Sequence, residues 1–310
     1  RGRAGSGPEM SALPEGNPRL PEHINHSEAH PLREFFKLLV AVVFALTALA
    51  FAISLLAQWL APHIPFRWEA SAAFIVDDAI AQEFGKTAYE AEQQQALAAL
   101  GQLLLRAARA AAAAAGHAEG LDIPDEAFTF QLVESDVANA FASLGARIFV
   151  TGSLIGSVSS ENALAMVLAH EIAHVRYRHP IRSSSSALVL QVAMSAILDD
   201  ASQAMLEGLL SGTGYLTAMS FSRKMELQAD ERALETLVKH YGHSFGADEF
   251  FRTISDAGAD SRWLEFTQTH PNTERRLQVI DRSIRDTVPD PSSAPALVPL
   301  PIPLRLSPDR

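Results

Sequence analysis

From Leu38 to Ala57, twenty consecutive residues carry no charge, and the hydroxyls of Thr47 and Ser54 are their only polar side-chain groups. A helix rises 1.5 Å per residue, so this run is about 30 Å long, the thickness of a bilayer's hydrocarbon core. The buried helix of a soluble domain rarely goes so far without a charge. Trp59 and Trp68 stand at the far end as interfacial anchors, and Pro62 and Pro65 stop the helix. The run is too long, and lies too far into the chain, for a cleaved signal peptide, so residues 35–61 read as an uncleaved signal anchor. Arg19, Arg33 and Lys37 precede it, whereas only Arg67 follows closely. Positive charge stays inside. The expectation is a single-pass protein of the inner (plasma) membrane, with the bilayer as a partner, its N-terminus cytoplasmic and everything after residue 66 outside.

Residues 1–34 are rich in Pro, Gly, Glu and Arg and read as a flexible, solvated tail in which His23, His26 and His30 are scattered. The sequence opens on Arg1, and Met10 is the first candidate initiator.

The chemistry concentrates in His170-Glu171-Ile172-Ala173-His174, which continues the apolar run Leu164–Ala169. On a helix, residues four apart share a face, so His170 and His174 can hold one metal ion while Glu171, one step round, reaches the reacting water. Ser159 or Ser160 can cap this helix, Glu161 suits its positive end, and Pro180 ends the run. Two histidines do not complete a catalytic zinc site, which takes three protein ligands and leaves a fourth position open. The extended pattern with a third histidine fails: Pro180 stands where that ligand would fall, Tyr177 replaces its glycine, and His179 is off the face. A downstream helix offers Glu226 and Asp230, four apart on one face. One of the two can ligate while the other accepts a hydrogen bond from a ligand histidine's far nitrogen. Without cysteine the chain has no thiolate nucleophile and no Cys-based zinc site, and a net charge of −11 argues against a nucleic-acid partner.

Around this motif, an alanine-rich helix over residues 89–115 carries the stripe Leu97, Leu100, Leu104 and Ala108, with Gly101 interrupting it. Residues 128–133 and 147–151 alternate like half-buried strands. They suggest a small antiparallel sheet that either packs the metal helix or lends an edge to an extended peptide. The apolar segment Ala187–Leu198 is too short to span a bilayer and reads as a buried or surface-dipping helix. The Pro-rich end, residues 288–310, reads as a disordered tail or as a cover for the cleft. The fold class is therefore α+β, predominantly α, with one transmembrane helix ahead of a metal-binding domain over residues 66–287.

His170-Glu171-Ile172-Ala173-His174, Glu226-Leu227-Gln228-Ala229-Asp230, Thr269-His270-Pro271 with Arg276, and Asn139-Ala140-Phe141-Ala142 together resemble the HtpX and CAAX-prenyl-protease group of membrane-associated gluzincin metallopeptidases. The resemblance runs from about residue 125 to 280 and implies a zincin-like fold. It further implies one zinc ion bound by His170, His174 and Glu226, with Glu171 as general base and Asp230 behind a ligand. His270 would stabilise an oxyanion or fill the open metal position at rest, and Arg276 would brace its loop. Ser143-Leu144-Gly145-Ala146 departs from the proline and paired glycines common in the group, and one span replaces several, so prenylated-peptide specificity does not carry over. The implied activity is zinc-dependent endopeptidase action on unfolded or membrane-adjacent polypeptides, in envelope protein quality control. The alternative is a metal-binding chaperone or assembly factor with a gated or inactive site. A purely structural zinc site would fill all four positions and would not require Glu171.

Overall fold

The computed structural model describes residues 31–73, 80, 84, 89–117, 122–184, 221–257, 266, 269, 270 and 274–305. The N-terminal histidines, the segment Ala187–Leu198 and Pro271 lie outside the described residues. The chain divides into two compact units, Arg1–Leu49 and Ala50–Arg310. Helix α1, Pro31–Leu60, contains the whole uncharged run and is a candidate membrane span. Its large apolar side chains stand exposed, Leu38, Phe44 and Leu56 by 66%, 73% and 56%. Water penalises such a surface by roughly 25 cal/mol per Å², whereas lipid tails do not.

The rest of the described chain is helix α2 (Phe66–Ala72), α3 (Ala91–Ala114), strands β1 (Thr129–Val133), β2 (Ala140–Ser143) and β3 (Arg147–Thr151), then α4 (Gly152–Ser157), α5 (Glu161–Arg176), α6 (Arg223–Tyr241), α7 (Glu249–Ala257) and α8 (Glu274–Thr287). Helix α3 opens with a reciprocal capping box between Glu90 and Gln93 and buries Leu97, Leu100 and Leu104, as its stripe predicts. Gly101 does not interrupt it. A Cβ there would lie 2.6 Å from the Phe130 ring, so the glycine lets the helix touch β1.

The sheet is mixed rather than antiparallel: the order is β1-β3-β2, with β1 parallel and β2 antiparallel to β3. The cause is a third strand in Asn139–Ser143, which hairpins directly into β3. Its three-residue turn holds Gly145 and Ala146 at φ 75° and 61°. The link from β1 must then cross β3, which leaves β1 running parallel to it. Among the described strands β2 is therefore an edge. The bond from Thr151 N–H to Asn139 O (2.9 Å) fixes the pairing phase. The backbone groups of Phe141 and Ser143 point to β3, and those of Ala140 and Ala142 point away from it.

Helix α5 runs through the middle of the core, with every residue from Asn162 to Arg176 buried. That explains a sequence apolar nearly all round. The Ser160 side chain accepts from Ala163 N–H at 3.2 Å and caps it. The C-terminal segment, read from the sequence as a disordered tail or a cover for the cleft, packs through its described residues against the start of α5. Glu161 N–H donates to Val298 O and Val298 N–H to Asn162 Oδ1, both at 2.8 Å, and Pro299 bridges to Ser160. Leu300 and Leu304 join the core. A proline-rich strand needs few backbone partners, and the free N–H groups at the start of α5 satisfy the carbonyl that it offers.

Candidate metal centre

One helical turn along α5 puts the Nε2 atoms of His170 and His174 2.9 Å apart. Glu226 enters from α6, whose first turn is fixed by Ser222 accepting from Met225 N–H. Its carboxylate lies 3.4 Å from His170 Nε2 and 3.3 Å from His174 Nε2. His270 joins from the far end of the domain, its Nδ1 3.2 Å from Glu226 Oε1 and its Nε2 3.6 Å from Glu171 Oε1. Aromatic rings hold the imidazoles in place: Phe221 stacks on His174 at 3.9 Å between centroids and Phe266 on His270 at 4.8 Å. All five polar residues are at most 1% exposed.

Behind the first turn of α6, Asp230 Oδ1 lies 2.9 Å from His170 Nδ1. Arg276 grips the same carboxylate with Nε and Nη2 and reaches Glu226 Oε2 with Nη1 at 2.7 Å. Expected to brace a loop, Arg276 instead meets both carboxylates. Burial alone would depress His170, but its bonds to Asp230 and Glu226 outweigh that and push it up to about 9. Burial, and then the His170 charge, drive His174 well below its ordinary value. Burial would raise Glu226, yet His270 and Arg276 hold it well below the usual carboxylate range. Burial raises Glu171, which neither carboxylate oxygen offsets through a close side-chain hydrogen bond; the backbone of Ala142 on β2 favours its charged form.

These residues fit a zinc ion. With Nδ1 of each histidine turned to a partner, the Nε2 lone pairs and an ionised carboxylate converge, a meeting of acceptors that only a cation or a shared proton can relieve. Zinc bonds of about 2.0–2.1 Å at tetrahedral angles set ligand atoms roughly 3.3 Å apart. Here the two nitrogens are 2.9 Å apart, His170 Nε2 is 3.4 Å from one Glu226 oxygen and His174 Nε2 3.3 Å from the other, and with His270 the four groups lie within 4.8 Å of one another.

The structure thus gathers every candidate residue of the sequence, His170, Glu171, His174, Glu226, Asp230, His270 and Arg276, around one point. It adds His179, which the helical-face argument set aside, and Gln228. Helix α5 ends at Arg176, Arg178 turns the backbone left-handed (φ 59°), and the ring of His179 comes back with its Nδ1 2.9 Å from His174 Nδ1. His179 Nε2 in turn lies 3.3 Å from Gln228 Oε1. Counting positions along an uninterrupted helix hid this contact. The signal available was the break itself, a Tyr-Arg-His-Pro run in which the helix cannot simply continue.

Residues 104–284 match the model of peptidase family M48. The chain is 33% identical over 172 residues to the β-barrel assembly-enhancing protease of Escherichia coli (strain K12), covering 52% of this chain and 34% of that protein. It is 29% identical over 161 residues to the mitochondrial metalloendopeptidase OMA1 of Schizosaccharomyces pombe, covering 51% and 47%. To the mitochondrial metalloendopeptidase OMA1 of Homo sapiens it is 24% identical over 169 residues, covering 51% and 32%. The matched stretch thus spans between about a third and a half of these curated relatives.

Proposed function

The chain belongs to peptidase family M48, and from that premise we propose that it is a membrane-anchored, zinc-dependent endopeptidase acting on unfolded or membrane-adjacent polypeptides in envelope quality control. The observation that carries the reading is the convergence of His170 Nε2, His174 Nε2 and the Glu226 carboxylate beside a second carboxylate, Glu171, whose oxygens take no side-chain hydrogen bond among the described residues. His170, His174 and Glu226 would hold the zinc ion, which would supply a Lewis acid for a peptide carbonyl and make water acidic near neutral pH. Glu171, whose pKa burial raises, takes the proton from that water and returns it to the leaving nitrogen. Asp230 and Arg276 fix the His170 ring and keep Glu226 ionised. His270 is placed to donate to a developing oxyanion. An extended substrate adds to β2, an edge among the described strands, where the Ala142 backbone meets Glu171. The flanking charges orient α1 with its N-terminus in the cytoplasm and the peptidase domain outside.

A second reading draws on burial. Glu171 and His270 are both fully buried, and His270 lies in the same cluster as the three ligand groups, which supports a closed form in which His270 would take the fourth ligand position until a peptide is admitted. A chain held closed would act as a metal-binding assembly factor. Digestion of an unfolded protein by the detergent-solubilised chain, with Glu171→Gln and His270→Ala beside the wild type, separates the two. Cleavage by the wild type that Glu171→Gln abolishes supports the endopeptidase. Function retained in cells by Glu171→Gln supports the assembly factor.

A further inference from the structure

We propose that His179 is a positioning residue that fixes His174 in its metal-binding tautomer through a neutral relay ending at Gln228. The inference rests on the zinc site proposed above. The Nδ1 atoms of His174 and His179 are 2.9 Å apart, a separation that requires one proton between them. For His174 to present a lone pair at Nε2, that proton belongs to its own Nδ1, and His179 Nδ1 accepts it. A neutral His179 then carries its proton on Nε2, which lies 3.3 Å from Gln228 Oε1, an obligate acceptor. Each member dictates the next. Reversing any one of them sets two donors or two lone pairs face to face, a costly mismatch because His174 and His179 are both fully buried.

The geometry is built rather than incidental. Arg178 adopts a left-handed φ of 59°, costly for a non-glycine residue, and this turn brings the His179 ring back to within 5.0 Å of His174 between centroids. Arg178 is held there by Glu69 Oε2 at 3.0 Å and by the carbonyl of Ile64 at 2.7 Å. Gln228 stands between Glu226 and Asp230 on α6, so one helix supplies a ligand and the terminal partner of both histidine systems. The two systems differ in charge: His170 answers to a carboxylate clamped by Arg276, and His174 to a neutral imidazole. A carboxylate raises the basicity of its histidine and a neutral partner does not. His174 is therefore the weaker of the two histidine ligands, oriented without being charged.

The test is the rate at which the full, detergent-solubilised, zinc-loaded chain gives up zinc to a chromogenic chelator. His179→Phe keeps a ring but removes the acceptor, and zinc release should quicken by about 10- to 100-fold. His179→Asn restores an acceptor near the position of Nδ1, and its release should stay within about threefold of wild type. Equal release from wild type and His179→Phe overturns the relay, and so does equal acceleration by Phe and Asn, which would mark His179 as packing alone. If His179→Phe does not fold, Gln228→Met takes its place. It leaves His179 in position without its acceptor and should quicken release severalfold, and an unchanged rate overturns the proposal. A wild-type chain that takes up no zinc removes the metal reading itself, a failure distinct from any of these.

Discussion

Arg276 closes on Asp230 like a fork, Nε to Oδ2 at 2.7 Å and Nη2 to Oδ1 at 2.8 Å, and both side chains are fully buried. The third nitrogen of the guanidinium meets Glu226, so one cation serves two carboxylates. Removing it leaves two buried negative charges one turn apart on the same face of α6. Arg276→Met should therefore cost about 3–5 kcal/mol of stability, as breaking a buried ion pair from one side does. Denaturant unfolding of the zinc-free chain reads this directly. Zinc should recover part of the loss, because a bound cation replaces some of the missing charge.

Glu69 of α2 ties two distant turns together. Its Oε1 accepts from Gly145 N–H at 3.1 Å, in the β2–β3 hairpin, and its Oε2 pairs with Arg178 at the turn that follows the metal helix. Glu69→Ala releases both and leaves the Arg178 charge buried, an expected loss of about 3–5 kcal/mol. Glu69→Gln keeps an acceptor for Gly145 and should lose clearly less. Because Arg178 delivers His179, Glu69→Ala should also speed zinc release, and chelator kinetics on the two variants would show the difference.

Gly101 gives a prediction with two opposing signs. Alanine is a better helix former than glycine by about 0.8–1.0 kcal/mol. A Cβ at this position would lie 2.6 Å from the Phe130 ring, and overpacking costs about 1–3 kcal/mol. Gly101→Ala should therefore destabilise the chain on balance. A rise in the urea midpoint would show instead that the contact between α3 and β1 yields freely.

Asp125, ahead of β1, pairs with Arg176 in the last turn of the metal helix and with Arg109 on α3. Burial would raise its carboxyl, but the hydrogen bonds from Arg109 and Arg176 outweigh that and hold it below the usual range. A depressed folded pKa contributes stability that is fully present above the ordinary aspartate value near 4 and is lost as the pH falls through the lower, folded value. Wild type and Asp125→Asn should thus differ in thermal midpoint at pH 7, and the gap should begin to close only below about pH 4, vanishing once the pH is under the lower, folded value. A constant gap across that window would mean that the carboxyl's charge contributes nothing.

What could be read from the sequence divides along physical lines. Spacing within one helix was legible, because His170 and His174, or Glu226 and Asp230, meet wherever the backbone is α-helical. The motifs that carry the family resemblance supplied His270 and Arg276, which periodicity alone could not place, since they lie about a hundred residues further on. Contacts created by a break in regularity stayed hidden. The strand in Asn139–Ser143 depends on a left-handed turn at Gly145 and Ala146 and turned an expected antiparallel sheet into a mixed one. His179 depends on the same device at Arg178. The segment around Val298 shows no period because its order comes from the free end of α5 and from the burial of Leu300 and Leu304, a tertiary cause with no local signal.

The most direct measurement pairs zinc content with hydrolysis of an unfolded protein for the wild-type chain and Glu171→Gln. One zinc per chain in both, with cleavage reduced by about 10²–10⁴-fold in the variant, is the expected result, because Glu171 handles the proton and holds no metal. Cleavage by Glu171→Gln at the wild-type rate, or a wild type that binds no zinc, would contradict it.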